Sequence, residues 1–203
     1  MNNKFIKNKM KKLSIIFFLL SISFYSCNGQ SKSNKIKFTL PKGYYVLDST
    51  KLSVNSTFYK VIALEKNKNK DIDAEHNSNT ILILKQKGNI YFEIKNNSEM
   101  VFDDDTNCPI DGFNGIVSKN NYFTIEQTIC SDFLFVNTYS TFKIDLLTND
   151  IFLHKYGQKY TDRSNPDRKI PDKIWTVKDF GKVNFEDFNY RFVINVIQNK
   201  PKK

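Results

Sequence analysis

The amino-acid sequence predicts an all-β protein whose antiparallel strands follow one another as a meander, in a sandwich or a curved, propeller-like sheet. Its 203 residues include 18 Phe and 10 Tyr, which is enough large apolar side chain to build a core. Alanine, the best helix former, occurs only at positions 63 and 74, and this argues against a helical protein. The apolar runs are short, rich in β-branched and aromatic residues, and separated by Gly, Asn, Asp or Pro.

In the first half of the chain the strand pattern occurs five times, at residues 36–40, 44–47, 58–65, 80–85 and 90–95. The last two are predicted to form a hairpin, because Gly88 in their connection can adopt the positive φ of a tight turn.

Four further strands are predicted in the second half, at residues 115–118, 122–129, 133–144 and 151–156. From 122 to 128, Tyr, Thr and Glu alternate with Phe123, Ile125 and Gln127, so one face is expected to be wet and the other dry. Short connections between consecutive strands favour an antiparallel meander over the crossover units of a parallel α/β fold.

The last third is less regular. Residues 162–173 contain Pro166 and Pro171 and predict a long surface loop. Thr176 and Asn184 are placed to cap single helical turns at 178–180 and 185–188, and 190–197 predicts a final strand. No linker follows residue 35, so residues 36–203 are expected to form a single β-rich domain.

The amino terminus has the layout of a signal peptide. Residues 1–12 contain five lysines and no acid, and residues 13–24 form an apolar run relieved only by serines. This run is shorter than the roughly 20 residues that a permanent transmembrane helix needs. The sequence Ser23-Phe24-Tyr25-Ser26-Cys27 at its end resembles the lipobox of bacterial lipoproteins, in a bulky form similar to that of Bacteroidota.

The lipobox resemblance implies that the peptide 1–26 is cleaved and that Cys27 carries the lipid anchor. Residues 27–35 then form a flexible tether. No acidic residue follows Cys27 in this stretch, which favours an outer-membrane protein that faces the periplasm. The alternative is an ordinary secreted protein in which Cys27 is incidental. Several acyl chains make attachment effectively permanent, because each buried methylene contributes about 0.8 kcal/mol.

Charge argues against a nucleic-acid partner. The formal charge of +10 falls to +5 once the five signal-segment lysines are removed from the 31 Lys and Arg, and the remaining charges alternate in sign. A nucleic-acid-binding protein would show a basic patch of one sign interleaved with aromatic residues.

After Cys27, two cysteines remain, Cys108 and Cys130. In an oxidising compartment an even pair favours a disulfide, which would stabilise the fold by about 3 kcal/mol. Two buried thiols are the alternative.

Between residues 41 and 157 the order of short motifs resembles uncharacterised exported bacterial proteins related to FG-GAP-like β repeats. The motifs are Pro41-Lys42-Gly43-Tyr44, Val61-Ile62-Ala63-Leu64-Glu65, Thr80-Ile81-Leu82-Ile83-Leu84, an acidic loop from Asp103 to Asp111 followed by Gly112-Phe113-Asn114-Gly115-Ile116, then Phe123-Thr124-Ile125 and Tyr139-Ser140-Thr141-Phe142-Lys143. The resemblance implies a β fold and an envelope address, without an established reaction. Residues 49–56 lack the acids of the calcium-type loop found in such relatives.

Candidate metal ligands are few. Asp103, Asp105, Asn107 and Asp111 are spaced partly like an oxygen-ligand calcium loop, with a solvated acidic loop as the alternative. The polar cluster at residues 71–76 is interpreted as a flexible loop, and His154 as a residue of the sheet surface. The sequence predicts no cofactor.

Two classes of function remain. The first is a non-catalytic envelope module whose sheet or loops contact another protein or a glycan, with Tyr160 and Trp175 as exposed aromatic anchors. An immunity-type protein that blocks a toxin is a specific form of it. The second is a periplasmic hydrolase whose carboxylates, distant in the sequence, converge in the fold.

Overall fold

A computed structural model describes residues 37–66, 79–101, 108, 110, 112–189 and 191. It contains two antiparallel sheets, of four and five strands, and thereby confirms the predicted all-β sandwich class. The described strands all belong to one compact unit, Lys35–Lys203.

The first sheet is a four-stranded meander with the order β1-β2-β3-β4. Its strands are β1 (Tyr44–Val54), β2 (Thr57–Lys66), β3 (Thr80–Lys87) and β4 (Ile90–Asn97). Gly88 has a φ of 60° in the β3–β4 turn, as predicted for this hairpin.

The second sheet continues the meander with the order β5-β6-β7-β8-β9. Its strands are β5 (Gly112–Lys119), β6 (Tyr122–Ser131), β7 (Leu134–Ile144), β8 (Ile151–Asp162) and β9 (Lys173–Thr176). A single helical turn, α1 (Val177–Phe180), follows β9.

One apolar core lies between the two sheets. Phe123 and Phe142 stack with ring centroids 5.3 Å apart, and Phe185 and Phe188 meet the Phe142 ring edge-on. All four rings are fully buried, so this cluster removes a large apolar area from water. The first sheet also buries a second cluster on its outer face, made of Ile62, Leu64, Leu82 and Leu84 with Phe38, Tyr44 and Tyr91 packed against it.

Several element boundaries differ from the prediction. The Ser/Thr-rich stretch after residue 47 is the second half of β1, because it pairs with β2 over its whole length. The predicted strand at 36–40 contributes a single bridge, Lys37 to Phe92, among its described residues. The predicted loop 162–173 ends in β9, which sequence reasoning missed. The predicted helical turn at 178–180 is confirmed, and Asp179 accepts a hydrogen bond from the Thr176 backbone N–H at 2.8 Å.

The segment that follows α1 covers the far edge of the second sheet. Leu153 N–H donates to Val183 O at 2.8 Å, and Phe185 N–H donates to Ile151 O at 2.9 Å. The buried Asn97 side-chain amide donates to Phe185 O at 2.6 Å and to Phe188 O at 2.8 Å. Residues 185–188 form a turn rather than the predicted helix, and the predicted strand 190–197 lies outside the described residues apart from Arg191.

The two sheets meet where edge strands β1 and β5 run side by side. Asp48 Oδ2 accepts the backbone N–H of Ile116 at 2.7 Å, and the Thr50 and Ser118 hydroxyl oxygens are 2.7 Å apart. Both strands bulge here, at Leu47 in β1 and at Asn114 in β5. A bulge interrupts the regular backbone hydrogen bonds of a strand. Here the Asp48 carboxylate takes the place of a backbone carbonyl as the acceptor for the Ile116 N–H.

These contacts also define two ends of the sandwich. Asp48 faces Ile116 and Thr50 faces Ser118, so β1 and β5 run in the same direction. The turns after β1, β3, β5 and β7 therefore share one end, which we call the hairpin end. The β6–β7 turn and the longer connections lie at the opposite, loop end.

We expect Asp48→Ala to lower the free energy of unfolding by roughly 1–2 kcal/mol, because it leaves the Ile116 N–H without its acceptor. Asp48→Asn keeps an oxygen at this place and should cost less. Urea denaturation measures both, and Glu99→Ala, which removes an exposed carboxylate, is the control. Equal stability of the Asp48→Ala and Glu99→Ala proteins would contradict a structural role for this carboxylate.

Candidate binding surface

The outer face of the second sheet carries a groove with a volume of about 530 Å³. It crosses β5, β6, β7 and β8 near the hairpin end. The lining residues are Val117, Ser118, Lys119, Asn120, Tyr122, Thr124, Thr141, His154 and Lys155. A concave site with a few convergent polar groups is the default place to look for a ligand.

Strand alternation explains why this face is polar. Tyr122 and Thr124 of β6 lie opposite Lys143 and Thr141 of β7, while the residues between them point into the core. The two threonine hydroxyl oxygens are 3.0 Å apart and form a cross-strand hydrogen bond. The predicted dry face of β6 is confirmed, since Phe123, Ile125 and Gln127 are all buried. On the predicted wet face, Tyr122, Thr124 and Glu126 are half-buried, but Thr128 is buried, so the prediction is wrong at that end of the strand.

A bulge in β8 concentrates polar groups in the groove. The pairing of β7 with β8 shifts where Thr141 faces Lys155 and Phe142 faces Leu153, so His154 is the extra residue. As a result, His154 and Lys155 are adjacent in the sequence and both line the groove. Bulges re-aim side chains in this way next to functional sites.

The aromatic rings of Tyr122 and His154 line one side of the groove. The Tyr122 and His154 ring centroids are 4.9 Å apart with a tilt of 56° between the planes. The Lys143 ammonium lies 5.9 Å from the centroid of the Tyr122 ring, within the range of a cation–π contact. Half-burial of His154 confirms its predicted place on the sheet surface.

The environment of His154 favours its neutral form. Burial, together with the positive charges of Lys143 and Lys155, lowers the pKa of the imidazole below its usual value of 6.5. At neutral pH the ring therefore offers one N–H donor and one nitrogen acceptor.

The groove offers hydrogen-bonding and positively charged groups. Its hydroxyl groups and the His154 nitrogen can donate and accept hydrogen bonds, and the Lys119 and Lys155 ammonium groups can pair with negative charge. The described lining residues include no carboxylate, either here or in the smaller cavity at the hairpin end. The converging carboxylates of the hydrolase hypothesis are thus not found in these two cavities.

The structure places the other predicted site residues as follows. Cys108 and Cys130 lie at disulfide distance, with Cα atoms 6.2 Å apart and a sequence separation of 22 positions. Cys27, the candidate calcium ligands Asp103, Asp105, Asn107 and Asp111, and the cluster at 71–76 lie outside the described residues.

The predicted aromatic anchors are not freely exposed. Trp175 is half-buried against the core with its ring centroid 5.9 Å from that of Tyr156, and half-buried Tyr160 donates to Gln158 at 2.6 Å. Their inward positions follow from strand register, since Trp175 pairs with the buried Tyr156 of β8 and Tyr160 pairs with the buried Val136 of β7. Sequence reasoning missed Thr141, the adjacent Lys143 beside the Tyr122 ring, and Lys155 of the groove. The alternation in β7 could have indicated the first two, whereas the bulge that places Lys155 leaves no pattern in the sequence.

No protein-family model, no curated protein and no solved structure matches the chain. In the described part of the chain, no helix is long and apolar enough to cross a bilayer. Among the same residues, no three side chains of His, Cys, Asp or Glu are grouped as metal ligands.

We expect the His154 imidazole to titrate with a pKa below 6.5, and Lys143→Gln to raise this pKa because it removes a neighbouring positive charge. Imidazole NMR signals followed against pH measure both effects. The His154→Gln protein shows which signal belongs to His154, because only the His76 signal remains in it. Lys159→Gln, on the same strand and face, is the control and should leave the pKa unchanged. A midpoint at or above 6.5 would count against the described environment.

Proposed function

We propose that this protein is a lipid-anchored envelope lipoprotein that faces the periplasm and binds an envelope partner through the groove on its second sheet. The anchor is supported by the order of its sequence elements, in which lysines, an apolar run and Cys27 follow one another. Two or three acyl chains on Cys27 would hold the β sandwich permanently at the membrane.

The observation that carries the binding role is the groove itself. The Tyr122–His154 ring pair, the Thr124 and Thr141 hydroxyls and the nearby ammonium groups converge on one concave face. Aromatic faces, hydroxyls and cations together suit a partner that carries hydrogen-bonding groups and negative charge, whether an acidic protein surface or an acidic glycan. Binding through a sheet face needs no catalytic group, so this is the non-catalytic form of the function.

The pair Cys108 and Cys130 also supports a periplasmic location. A covalent bond between Cys108 and Cys130 would form in an oxidising periplasm, and it would tie the connection before β5 to the end of β6. Closing a loop of this length stabilises a fold by about 3 kcal/mol in the chain-entropy model.

The anchor is tested by Cys27→Ser. We expect the wild-type protein in the membrane fraction, with an intact mass that shows loss of residues 1–26, added acyl groups and two hydrogens fewer for the disulfide. The Cys27→Ser protein should leave the membrane fraction, because position 27 no longer has a thiol that can receive the lipid. Cys108→Ser is the control and should stay with the membrane. Wild-type protein with an unmodified Cys27 would contradict the proposal.

The groove is tested by affinity capture from detergent-solubilised envelopes. We expect Lys155→Glu to lose a partner that the wild-type protein retains, because it reverses a charge in the groove. Lys159→Glu makes the same change four residues further along the same strand and face, and should keep the partner. Mass spectrometry and glycan analysis identify what is bound. Equal recovery with both variants would exclude the groove as the binding surface.

A further inference from the structure

A second cavity, with a volume of about 310 Å³, opens at the hairpin end beside the β1–β2 and β3–β4 turns. Its described lining combines apolar side chains with two ammonium groups, from Phe58, Phe92, Ile94, Lys85 and Lys87. Phe58 is 52% exposed, and Ile90, the first residue of β4 after the adjacent turn, is 40% exposed. Apolar side chains next to lysines are typical of surfaces that rest on anionic membranes.

The β7–β8 turn, also at the hairpin end, exposes apolar side chains too. Leu147 is 92% exposed and Leu146 is 45% exposed. The turn also lies next to the cavity residues, because Asn149 accepts a hydrogen bond from the Tyr59 hydroxyl at 3.0 Å and lies 3.5 Å from the Lys85 ammonium. The exposed apolar side chains of the two regions therefore belong to one surface.

Charge at the hairpin end is predominantly positive among the described residues. The lysines there are Lys85, Lys87, Lys119, Lys143 and Lys182, against Glu93, Asp145 and Asp150. The exposed Glu93 accepts a hydrogen bond from the Asn96 amide at 2.7 Å. Asp145 accepts the backbone N–H groups of Leu147 and Thr148 in its own turn, and Asp150 accepts from the Lys182 ammonium at 3.0 Å. Both carboxylates are thus engaged within the protein, and the exposed Lys87 and Lys119 face outward.

The chain enters the described fold close to this end. Lys37 forms a bridge with Phe92, a residue that lines the cavity, and Phe38 N–H donates to Tyr91 O at 2.8 Å. Lys37 follows Cys27 by ten positions, and a chain of that length spans at most about 35 Å. A lipid on Cys27 would hold Phe92 within that distance of the bilayer.

We propose that the hairpin end docks on the anionic surface of the membrane that holds the Cys27 lipid. This inference rests on the lipid anchor of the proposed function. Phe58 and Ile90 enter the interfacial region, Lys85 and Lys87 meet lipid phosphates, and the loop end faces away from the bilayer. The two contributions reinforce each other, because the anchor raises the local concentration of lipid around a surface that would bind weakly alone.

The test places one tryptophan at either end of the full, lipidated chain. Trp175→Phe removes the natural indole, and Phe58→Trp then reports on the hairpin end, with Ile90→Trp as a second reporter if Phe58→Trp fails to fold. Phe133→Trp, in the β6–β7 turn and 72% exposed at wild type, is the matched control at the loop end. Each protein is reconstituted into vesicles of phosphatidylcholine and phosphatidylglycerol, with and without brominated acyl chains that quench indole fluorescence.

We expect brominated lipid to quench the tryptophan at position 58 and to leave the one at position 133 bright. Lys87→Glu and raised salt should both reduce the quenching at position 58, whereas Lys169→Glu in the β8–β9 connection should not. Quenching at 133 instead of 58, or at neither position in a protein whose mass shows the acyl groups, would overturn the docking while leaving the anchor intact. A mass without acyl groups would overturn both proposals.

Discussion

The architecture depends on how two open sheets are joined along β1 and β5. These strands lie side by side without a regular ladder, and an unpaired edge is open to association with other chains. The Asp48 carboxylate satisfies the Ile116 N–H, and the adjacent Gly115 leaves room for it, since a Cβ there would lie only 3.3 Å from Asp48 Oδ2. One side chain thus aligns the two meanders, and the aromatic core between them can form because they are aligned.

The two outer faces of the sandwich differ, and the difference determines which one can bind a polar partner. The first sheet is apolar on both faces, because β2 and β3 carry uninterrupted buried runs such as Ile81 to Leu84. The second sheet alternates, so its outer face keeps Thr124, Thr141 and His154 at the surface. The larger groove therefore lies on the second sheet, while the cavity on the first sheet opens at the hairpin end, where Phe58 and Phe92 line it together with Lys85 and Lys87. The pleat of the second sheet fixes the spacing of its polar side chains, as a binding surface requires.

Sequence reasoning identified most strands because apolar alternation and turn residues such as Gly88 act locally. It missed the second half of β1, where polar residues such as Ser49, Thr50 and Lys51 belong to a strand because β2 pairs with them. It also missed β9, whose four residues are too few to show a period. The groove depends on the β8 bulge at His154 and on the register between four strands, and neither is visible before the strands are paired. The positions of Trp175 and Tyr160 were misjudged for the same reason.

The far side of β8 shows how a sheet edge can be covered without one long partner strand. Two short segments cover most of it, with β9 along residues 155–158 and residues 183–185 along its first part. The Asn97 amide holds the second segment in place from the opposite sheet. A long strand left open would invite neighbours to add to it at high surface density. Here the protein presents only short, interrupted backbone along this side of β8, which leaves little room for a strand of another molecule to add there.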